Sequence, residues 1–168
     1  MRLTTIVSAG LLMLSSSPVI ALDLEKLPKI GEITNKSLLD NVNQSLAKQQ
    51  INDGQFEFKT GKAEFAPGND KRVKGLLKVL TEHSKRLKGA FPNLHVTAEG
   101  HTDSDGSAQT NQKLSLARAN KVCAELKSKG MKLPCTPIGA GSGKPLASPE
   151  KSAADKQKNR RVLVQVAK

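Results

Sequence analysis

Apolar residues recur with a helical period in three parts of the chain. Between residues 36 and 50 this period predicts a short amphipathic helix with the apolar stripe Leu38, Leu39, Val42 and Leu46. After the turn-forming residues 67–70 it predicts a helix over about 69–88, with the stripe Val73, Leu76, Leu77, Leu80 and Leu87. A third helix, over about 108–129, should bury Ala119, Val122, Cys123 and Leu126.

The ends of the third helix are also marked in the sequence. Ser107 or Asp105 can cap its first turn, because a short polar side chain there accepts from a free backbone N–H. Gly130 is suited to its C-terminal end. The stripe of the 36–50 helix is expected to dock on its own domain, the commoner role of such a stripe.

Strand-like alternation separates and follows the helices. Residues 94–99 alternate apolar and polar up to Gly100, and residues 136–140 and 162–166 are also β-like. A further strand is expected to begin at Gln55, ahead of the second helix. The order strand, helix, strand, helix, strand, strand predicts an α/β (α+β) two-layer sandwich, a mixed sheet with two main helices on one face. The polar, lysine-rich segment 144–160 is expected to be mobile at its centre.

The first residues have the pattern of a secretory signal peptide. Arg2 precedes an apolar stretch, and Val19 and Ala21 suit a cleavage site after Ala21. An uncleaved anchor is the alternative. The cleavage region lacks cysteine, which excludes lipid attachment there. We therefore predict three parts: a signal peptide over 1–21, an N-terminal segment with the short helix over 22–54, and one folded domain over 55–168.

Charge narrows the class of partner. The formal net charge is +12, an excess that favours a polyanion or an anionic surface. Nucleic acid is not expected, because the chain is predicted to be exported and has no Tyr or Trp on which bases could stack. No apolar run after the signal is long enough to span a bilayer. Outside the inner membrane the available anions are cell-wall peptide carboxylates, lipid head groups and lipopolysaccharide.

The two cysteines lie in the exported part, where thiols can oxidise. We expect a disulfide between Cys123 and Cys135, worth roughly 2–3 kcal/mol in the chain-entropy model. The alternative is two independent small core residues. A metal site is less favoured, because no further Cys or His pair stands at ligand spacing.

An aspartate just before the third helix and an arginine within it form a candidate binding pair. Asp103 lies in the loop that leads into it, and Asn111, Ser115 and Arg118 fall within about 40° of one another on its surface. The commoner reading of Arg118 is a surface residue whose stem covers the core. An opposed carboxylate and guanidinium can also clamp a zwitterion, with Asp103 accepting from an ammonium group and Arg118 binding a carboxylate.

Several motifs, in a fixed order along the chain, resemble those of a known protein family. They are Gly100-His101-Thr102-Asp103, then Gly106, Asn111, Leu114-Ser115 and Arg118-Ala119, then Gly139-x-Gly141-x-x-x-Pro145, then Asn159-Arg160-Arg161-Val162. Over about 55–168 this pattern resembles the OmpA-like C-terminal, peptidoglycan-binding domain. Leu163 departs from it, since glutamate commonly follows Arg-Arg-Val.

The resemblance implies recognition of the meso-diaminopimelate residue of the peptidoglycan stem peptide. Asp103 matches the family's aspartate for the ammonium group, and Arg118 its arginine for the carboxylate. Asn111 matches a supporting polar contact, and Thr102 belongs to the same motif. Arg160 or Arg161 matches the basic pair near the pocket.

Enzymatic motifs are weak in this chain, and neither catalysis nor a cofactor is expected. Ser148-Pro149-Glu150-Lys151 lacks the companion motifs of Ser-x-x-Lys enzymes. The loop 139–144 has Ile138 and Pro145 where a phosphate-binding loop needs Gly and Ser or Thr. The histidines are scattered over a helix, a strand and a loop, so no metal site is expected.

Two hypotheses follow for the function. The first is stereospecific wall binding by a periplasmic protein of a Gram-negative envelope, associated with the cell wall or the outer membrane, with residues 22–54 engaging another envelope protein. The rival is a polybasic periplasmic interaction protein whose lysines bind anionic envelope surfaces. A further alternative is a subunit of an envelope machine in which the domain is only a scaffold.

Overall fold

A computed structural model describes residues 30–59 and 61–168 of the protein, so the predicted signal peptide lies outside the described residues. The helices and strands follow in the order α1 Ile30–Asn52, α2 Asn69–Ala90, β1 His95–Gly100, α3 Ala108–Ser128, β2 Cys135–Gly139, α4 Ala153–Asn159 and β3 Val162–Ala167. In the described part of the chain, no helix is long and apolar enough to cross a membrane.

The three strands form a mixed sheet in the order β2-β1-β3. The central strand β1 runs parallel to β2, from Val96 opposite Cys135 to Gly100 opposite Gly139. It runs antiparallel to β3, where Ala98 lies opposite Val164. Because side chains alternate across a strand, β1 and β3 turn their buried residues to one face, and the core lies between that face and the helices. The predicted α+β mixed sheet is confirmed.

Two glycines allow α3 to lie very close to the end of the sheet. A Cβ atom on Gly100 would collide with the backbone carbonyl of Ser115. One on Gly139 would lie 2.9 Å from the backbone oxygen of Gln112. Backbone atoms cannot move aside as the end of a side chain can. Glycine at both positions therefore allows α3 to pack against the ends of β1 and β2, just before the loop that carries Asp103.

The predicted disulfide is confirmed, and it joins the far end of α3 to β2. Cys123 and Cys135 are bonded, with their Cα atoms 5.7 Å apart. The alternative of two separate core cysteines is therefore wrong. The bond fastens the same helix and strand that the glycines bring together at the other end.

Helix α1 covers the open edge of the sheet with two side-chain amides. Asn43 donates to the carbonyl of Val166 at 3.0 Å and accepts from its N–H at 2.8 Å. Gln50 makes the same pair of bonds with Val164, at 3.0 and 2.8 Å. The amides thus replace a neighbouring strand on β3, whose free edge would otherwise be open to another chain. The apolar stripe of α1 is buried too, with Val42 and Leu46 inaccessible to solvent.

Removing both amides should open this edge. We expect Asn43→Ala with Gln50→Ala to lower the free energy of unfolding by about 2 kcal/mol, since a net hydrogen bond is worth roughly 1 kcal/mol and water replaces part of what is lost. Urea unfolding measures this loss, and light scattering should show self-association through β3. The matched control is Asn41→Ala with Gln44→Ala, two exposed residues of the same helix. Equal stability of the two double variants would contradict the role of the amides.

One prediction about local structure is wrong. The strand expected from Gln55 does not form among the described residues, where an isolated bridge between Phe58 and Phe65 takes its place and α1 occupies the edge of β3. The segment 144–160, expected to be mobile at its centre, contains the helix α4, which was not predicted. Ser152 caps α4 by accepting from the N–H of Asp155, and Asn159 at its end is fully buried.

Candidate functional site

The loop between β1 and α3 is held by the first turns of the helix. Ser107 is the N-cap, and its hydroxyl accepts from the N–H of Thr110 at 3.1 Å. Asn111, one turn further on, donates through Nδ2 to the carbonyls of Asp103 at 3.3 Å and Asp105 at 3.0 Å. Asn111 therefore fixes the course of the loop, and with it the position of the Asp103 carboxylate.

The carboxylate of Asp103 pairs with Arg160 from the end of α4. Nη1 of Arg160 lies 2.7 Å from Oδ2 of Asp103, whose side chain is 13% exposed. Asp105 makes a second ion pair, 2.6 Å from Nζ of Lys156. The sequence predicted that Asp103 lies near Arg118 and left open whether Arg160 or Arg161 faces the ligand. In the structure the direct partner is Arg160.

Arg118 lies almost completely buried beside this pair, with 3% of its surface exposed. Its guanidinium carbon lies 5.1 Å from the centre of the Phe58 ring, and Nε donates to the carbonyl of Lys62 at 3.2 Å. Burial lowers the pKa of Arg118, the charge of Asp103 raises it, and Arg160 lowers it again. An arginine nevertheless stays protonated in a protein, so a buried cation stands next to the carboxylate.

These side chains line one pocket of about 550 Å³. Its walls come from the 56–65 loop, the loop after β1, the first turns of α3 and the end of α4. The lining residues are Phe58, Gly61, Thr102, Asp103, Asp105, Gly106, Thr110, Asn111, Leu114, Arg118, Gln157 and Arg160. Two guanidiniums and two carboxylates share the space, which suits a ligand that carries both an ammonium group and a carboxylate.

The remaining two predicted site residues take different positions. Thr102 lines the pocket and is buried, and its Oγ1 has no hydrogen-bond partner among the described residues. Arg161 is turned away, and donates to the carbonyls of Lys144 at 3.0 Å and Asn159 at 3.4 Å. Of the two adjacent arginines, Arg160 thus faces the pocket and Arg161 braces the segment behind it.

A polar cluster around Asn159 supports the loop that carries Asp103, and the sequence did not predict this role. The side chain of Asn159 accepts from the N–H of Leu146 at 2.7 Å and of Ala147 at 3.0 Å. It also donates to the carboxylate of Glu150, which in turn accepts from the N–H and the hydroxyl of Ser104. The residue after Asp103 is therefore tied to the end of α4. The signal available was the place of Asn159 at the start of the motif Asn159-Arg160-Arg161-Val162, whereas Glu150 belongs to no pattern that could indicate its role.

His101 is a buried histidine just before the loop, with neither ring nitrogen hydrogen-bonded to a described residue. Burial lowers its pKa to about 4, and the nearby charges of Arg161 and Lys144 add to this while Glu99 opposes it. The unfolded chain binds the proton near pH 6.5, so stability from the neutral ring is complete above that pH and is lost as the pH falls towards 4.

We expect this loss to reach roughly 3 kcal/mol, from a pKa difference of about 2.5 at 1.36 kcal/mol per unit. The measurement is urea unfolding of the protein and of His101→Asn between pH 7 and pH 4. The difference between the two curves removes the contribution of the carboxylates to the pH dependence, because they titrate in both proteins. Parallel curves would show that His101 does not drive the acid sensitivity.

Candidate metal ligands and the residues of the Ser-x-x-Lys look-alike can be located among the described residues. No group of three or more His, Cys, Asp or Glu side chains in 30–59 and 61–168 is arranged to hold a metal ion. Glu150 of the Ser-x-x-Lys look-alike is engaged with Ser104 and Asn159 as described above.

Comparison with protein families decides what kind of domain carries this pocket. A model of the OmpA family matches residues 57–160, more than half of the chain. The chain belongs to the OmpA family. The match covers most of the region over which the sequence motifs resembled the family, and that interpretation is confirmed. The matched range begins after α1, so the helix that covers the sheet edge lies outside it.

One relative is similar to part of the chain. The outer-membrane lipoprotein YfiB of Pseudomonas aeruginosa is 42% identical over 70 residues, which are 41% of this chain and 41% of that protein. The chain thus matches well under half the length of this relative.

Solved structures show the fold. The peptidoglycan-associated lipoprotein of Burkholderia pseudomallei superposes with a TM-score of 0.53 at 22% identity, over 67% of this chain and 87% of that one. The C-terminal domain of MotB from Helicobacter pylori gives a TM-score of 0.56 at 21% identity, over 68% and 84% of the two chains.

Proposed function

We propose that this OmpA-family domain binds peptidoglycan non-covalently, through the meso-diaminopimelate residue of the stem peptide, and so anchors an envelope protein or complex to the cell wall. The observation that carries the proposal is the pocket in which Asp103, Arg118 and Arg160 meet. Membership of the family and the fold shared with a peptidoglycan-associated lipoprotein support it. The site implies a place in the envelope of a Gram-negative bacterium, in the periplasm beside the wall or the outer membrane.

The free end of diaminopimelate carries an ammonium group and a carboxylate on one carbon, and the pocket offers a partner for each. Arg118 binds the carboxylate through its planar guanidinium, which cation–π contact with Phe58 and the bond to Lys62 hold in place. Asp103 accepts from the ammonium group. Since Asp103 is paired with Arg160 in this structure, the ligand's ammonium group displaces Arg160 from that carboxylate.

Arg160 has a second role in this scheme. Its side chain is 35% exposed and also donates to Gln157 at 2.6 Å, so it can move with little cost to the core. When the ammonium group reaches Asp103, Arg160 is released towards the ligand's other carboxylates. The pair keeps the buried carboxylate neutralised when the pocket holds no ligand.

Comparison of two wall chemistries tests the proposal. Sacculi with diaminopimelate should bind the protein, whereas peptidoglycan with lysine at the same position of the stem should bind it at least tenfold more weakly. Lysine lacks the carboxylate that Arg118 would bind, and a charge-assisted hydrogen bond is worth about 1.5–3 kcal/mol. Equal binding to both walls would overturn the stereospecific site.

The rival function is adhesion through the lysines alone. It predicts equal binding to walls of equal negative charge and steep weakening with salt, since exposed charges more than a Debye length of about 10 Å apart are screened at 0.1 M. A partner for residues 22–54 remains part of the proposal. The buried face of α1 is already used within the domain, so such a partner would have to contact its polar face or the residues before it.

A further inference from the structure

One carboxylate joins the two parts of the chain that meet at the Asp103–Arg160 ion pair. Ser104 is the next residue after Asp103, and its N–H and hydroxyl donate to the carboxylate of Glu150. Asn159 stands directly before Arg160, and its side-chain amide donates to the same carboxylate. Glu150 therefore bridges the immediate neighbours of both members of the ion pair.

The hydrogen bonds of this bridge all run to the carboxylate. The N–H of Ser104 is shared between the two oxygens, with N 3.2 Å from Oε1 and 3.1 Å from Oε2. The Ser104 hydroxyl donates to Oε2 at 2.7 Å, and Nδ2 of Asn159 donates to Oε1. The bonds from Ser104 and Asn159 lower the pKa of Glu150, so the carboxylate is ionised at neutral pH. An ionised acceptor makes each bond stronger than one between neutral groups.

Glu150 lies outside the wall-binding pocket. Neither Glu150 nor its two donors line the space in which Asp103 and Arg160 meet. Any effect of Glu150 on a ligand in the pocket must therefore pass through those two side chains. The residue belongs to the Ser-x-x-Lys look-alike, for which no catalytic role was expected.

The segment that carries α4 depends on polar contacts for its position. Residues 143–160 contribute no side chain to the hydrophobic core. The ion pair of Lys156 with Asp105 also ties the segment to the loop, but the two side chains are 34% and 65% exposed, and such a pair contributes little. The bridge through Glu150 has a firmer anchor, because Asn159 is fully buried. Glu150 thus relates the end of α4 to the loop after β1.

A pocket binds more tightly when its side chains already have the spacing that the ligand needs. A side chain that becomes ordered only on binding lowers the affinity, because its lost freedom opposes association. Asn111 holds the backbone of the Asp103 loop from the side of α3, and Glu150 holds the loop from the side of α4. Without Glu150, the ligand itself would have to order Asp103 and Arg160.

We propose that Glu150 is a positioning residue of the wall-binding site. It holds Asp103 and Arg160 at the spacing that the ammonium group and the carboxylates of the ligand require, without touching the ligand. This role rests on the proposed function, since the ligand is the diaminopimelate end of the stem peptide.

Two substitutions of Glu150 test this role at equal charge. Glu150→Ala and Glu150→Gln both remove one negative charge, but only glutamine can keep the bridge. Its Oε1 can accept from Asn159 and from the Ser104 N–H, and its Nε2 can donate to the Ser104 hydroxyl. Calorimetry on the protein recovered from producing cells measures binding of a soluble tripeptide that ends in meso-diaminopimelate. We expect about a tenfold loss of affinity in Glu150→Ala and a change below about twofold in Glu150→Gln.

Two further variants serve as controls. Glu82→Ala removes an exposed carboxylate of α2 outside the pocket, and it should bind within about twofold of the parent. Urea unfolding shows whether each variant is folded under the conditions of the assay. If Glu150→Ala is unfolded, Ser104→Ala replaces it, because it removes only the hydroxyl from the bridge and should lower the affinity about threefold.

The outcomes separate this role from the wall function. Loss of affinity in Glu150→Ala with rescue in Glu150→Gln supports the positioning role. Parental affinity in Glu150→Ala, or equal loss in both variants, would overturn it and leave the wall site standing. Absence of peptide binding by the parent would overturn the proposed function, and the role of Glu150 with it.

Discussion

Replacing Arg118 by lysine will weaken binding to diaminopimelate-containing sacculi by about 10- to 100-fold. The substitution keeps the charge but removes the planar donor pair that a carboxylate accepts, and a charge-assisted hydrogen bond is worth about 1.5–3 kcal/mol. The variant also lacks the contact of the guanidinium with the Phe58 ring and the hydrogen bond from Nε to the Lys62 carbonyl. A pull-down with purified sacculi at fixed salt measures the change.

Asp103→Asn tests the same pocket by removing a negative charge from it. The variant is more positive than the parent, so adhesion through lysines predicts tighter binding, whereas the proposed site predicts a loss of similar size to that of Arg118→Lys. The backbone carbonyl of Asp103 still accepts from Asn111, so the loop should keep its course. Parental affinity in both variants would rule out the clamp.

Two controls keep these results tied to the pocket. Lys113→Ala removes an exposed cation of the same helix outside the pocket and should leave sacculus binding within twofold of the parent. Urea unfolding of each variant shows whether the fold is intact, since Arg118 is buried and its replacement costs some stability.

Asn159→Ala will lower the free energy of unfolding by roughly 2–4 kcal/mol, because it leaves several hydrogen-bonding groups around a buried position without their partner. The N–H groups of Leu146 and Ala147 lose their acceptor, and the carboxylate of Glu150 loses one of its donors. Glu150 also holds Ser104, so loosening it should disturb the Asp103 loop. Chemical denaturation measures the stability, and hydrogen exchange should show faster exchange at residues 146–147.

Asn120→Ala is the matched control for this variant. Asn120 is exposed, and its amide donates to the carbonyl of Leu116 one turn earlier in the same helix. That bond is local and open to water, so its loss should change stability by less than about 0.5 kcal/mol. Similar losses in the two variants would mean that the cluster around Asn159 contributes no more than a surface amide.

Much of the framework could be predicted from the sequence because its signals are periodic. The stripes of α2 and α3 repeat every three or four residues, and β3 alternates, since a buried face must meet a core at the period of the element. The pairing of Cys123 with Cys135 was predictable because two cysteines in an exported chain leave few choices. Asp103 and Arg118 were found by their place in motifs whose order is specific to a family.

The structure of polar segments was predicted poorly, because a segment without a buried apolar face shows no period in its sequence. Residues 144–160 have no apolar period, so the helix α4 and the burial of Asn159 were missed. That helix depends on a cap at Ser152 and on bonds to a distant loop, and such contacts leave no repeat in the sequence. The strand expected at Gln55 does not form among the described residues, where α1 fills the edge of β3.

The sequence by itself determined three of the four helices of the described residues, the main strands, the disulfide and the two residues proposed to clamp the ligand. Only the tertiary structure decided their partners. It paired Asp103 with Arg160 across 57 positions and placed the Phe58 ring beside the guanidinium of Arg118. Local patterns record which face of an element is buried, but contacts between distant polar groups depend on how the elements pack.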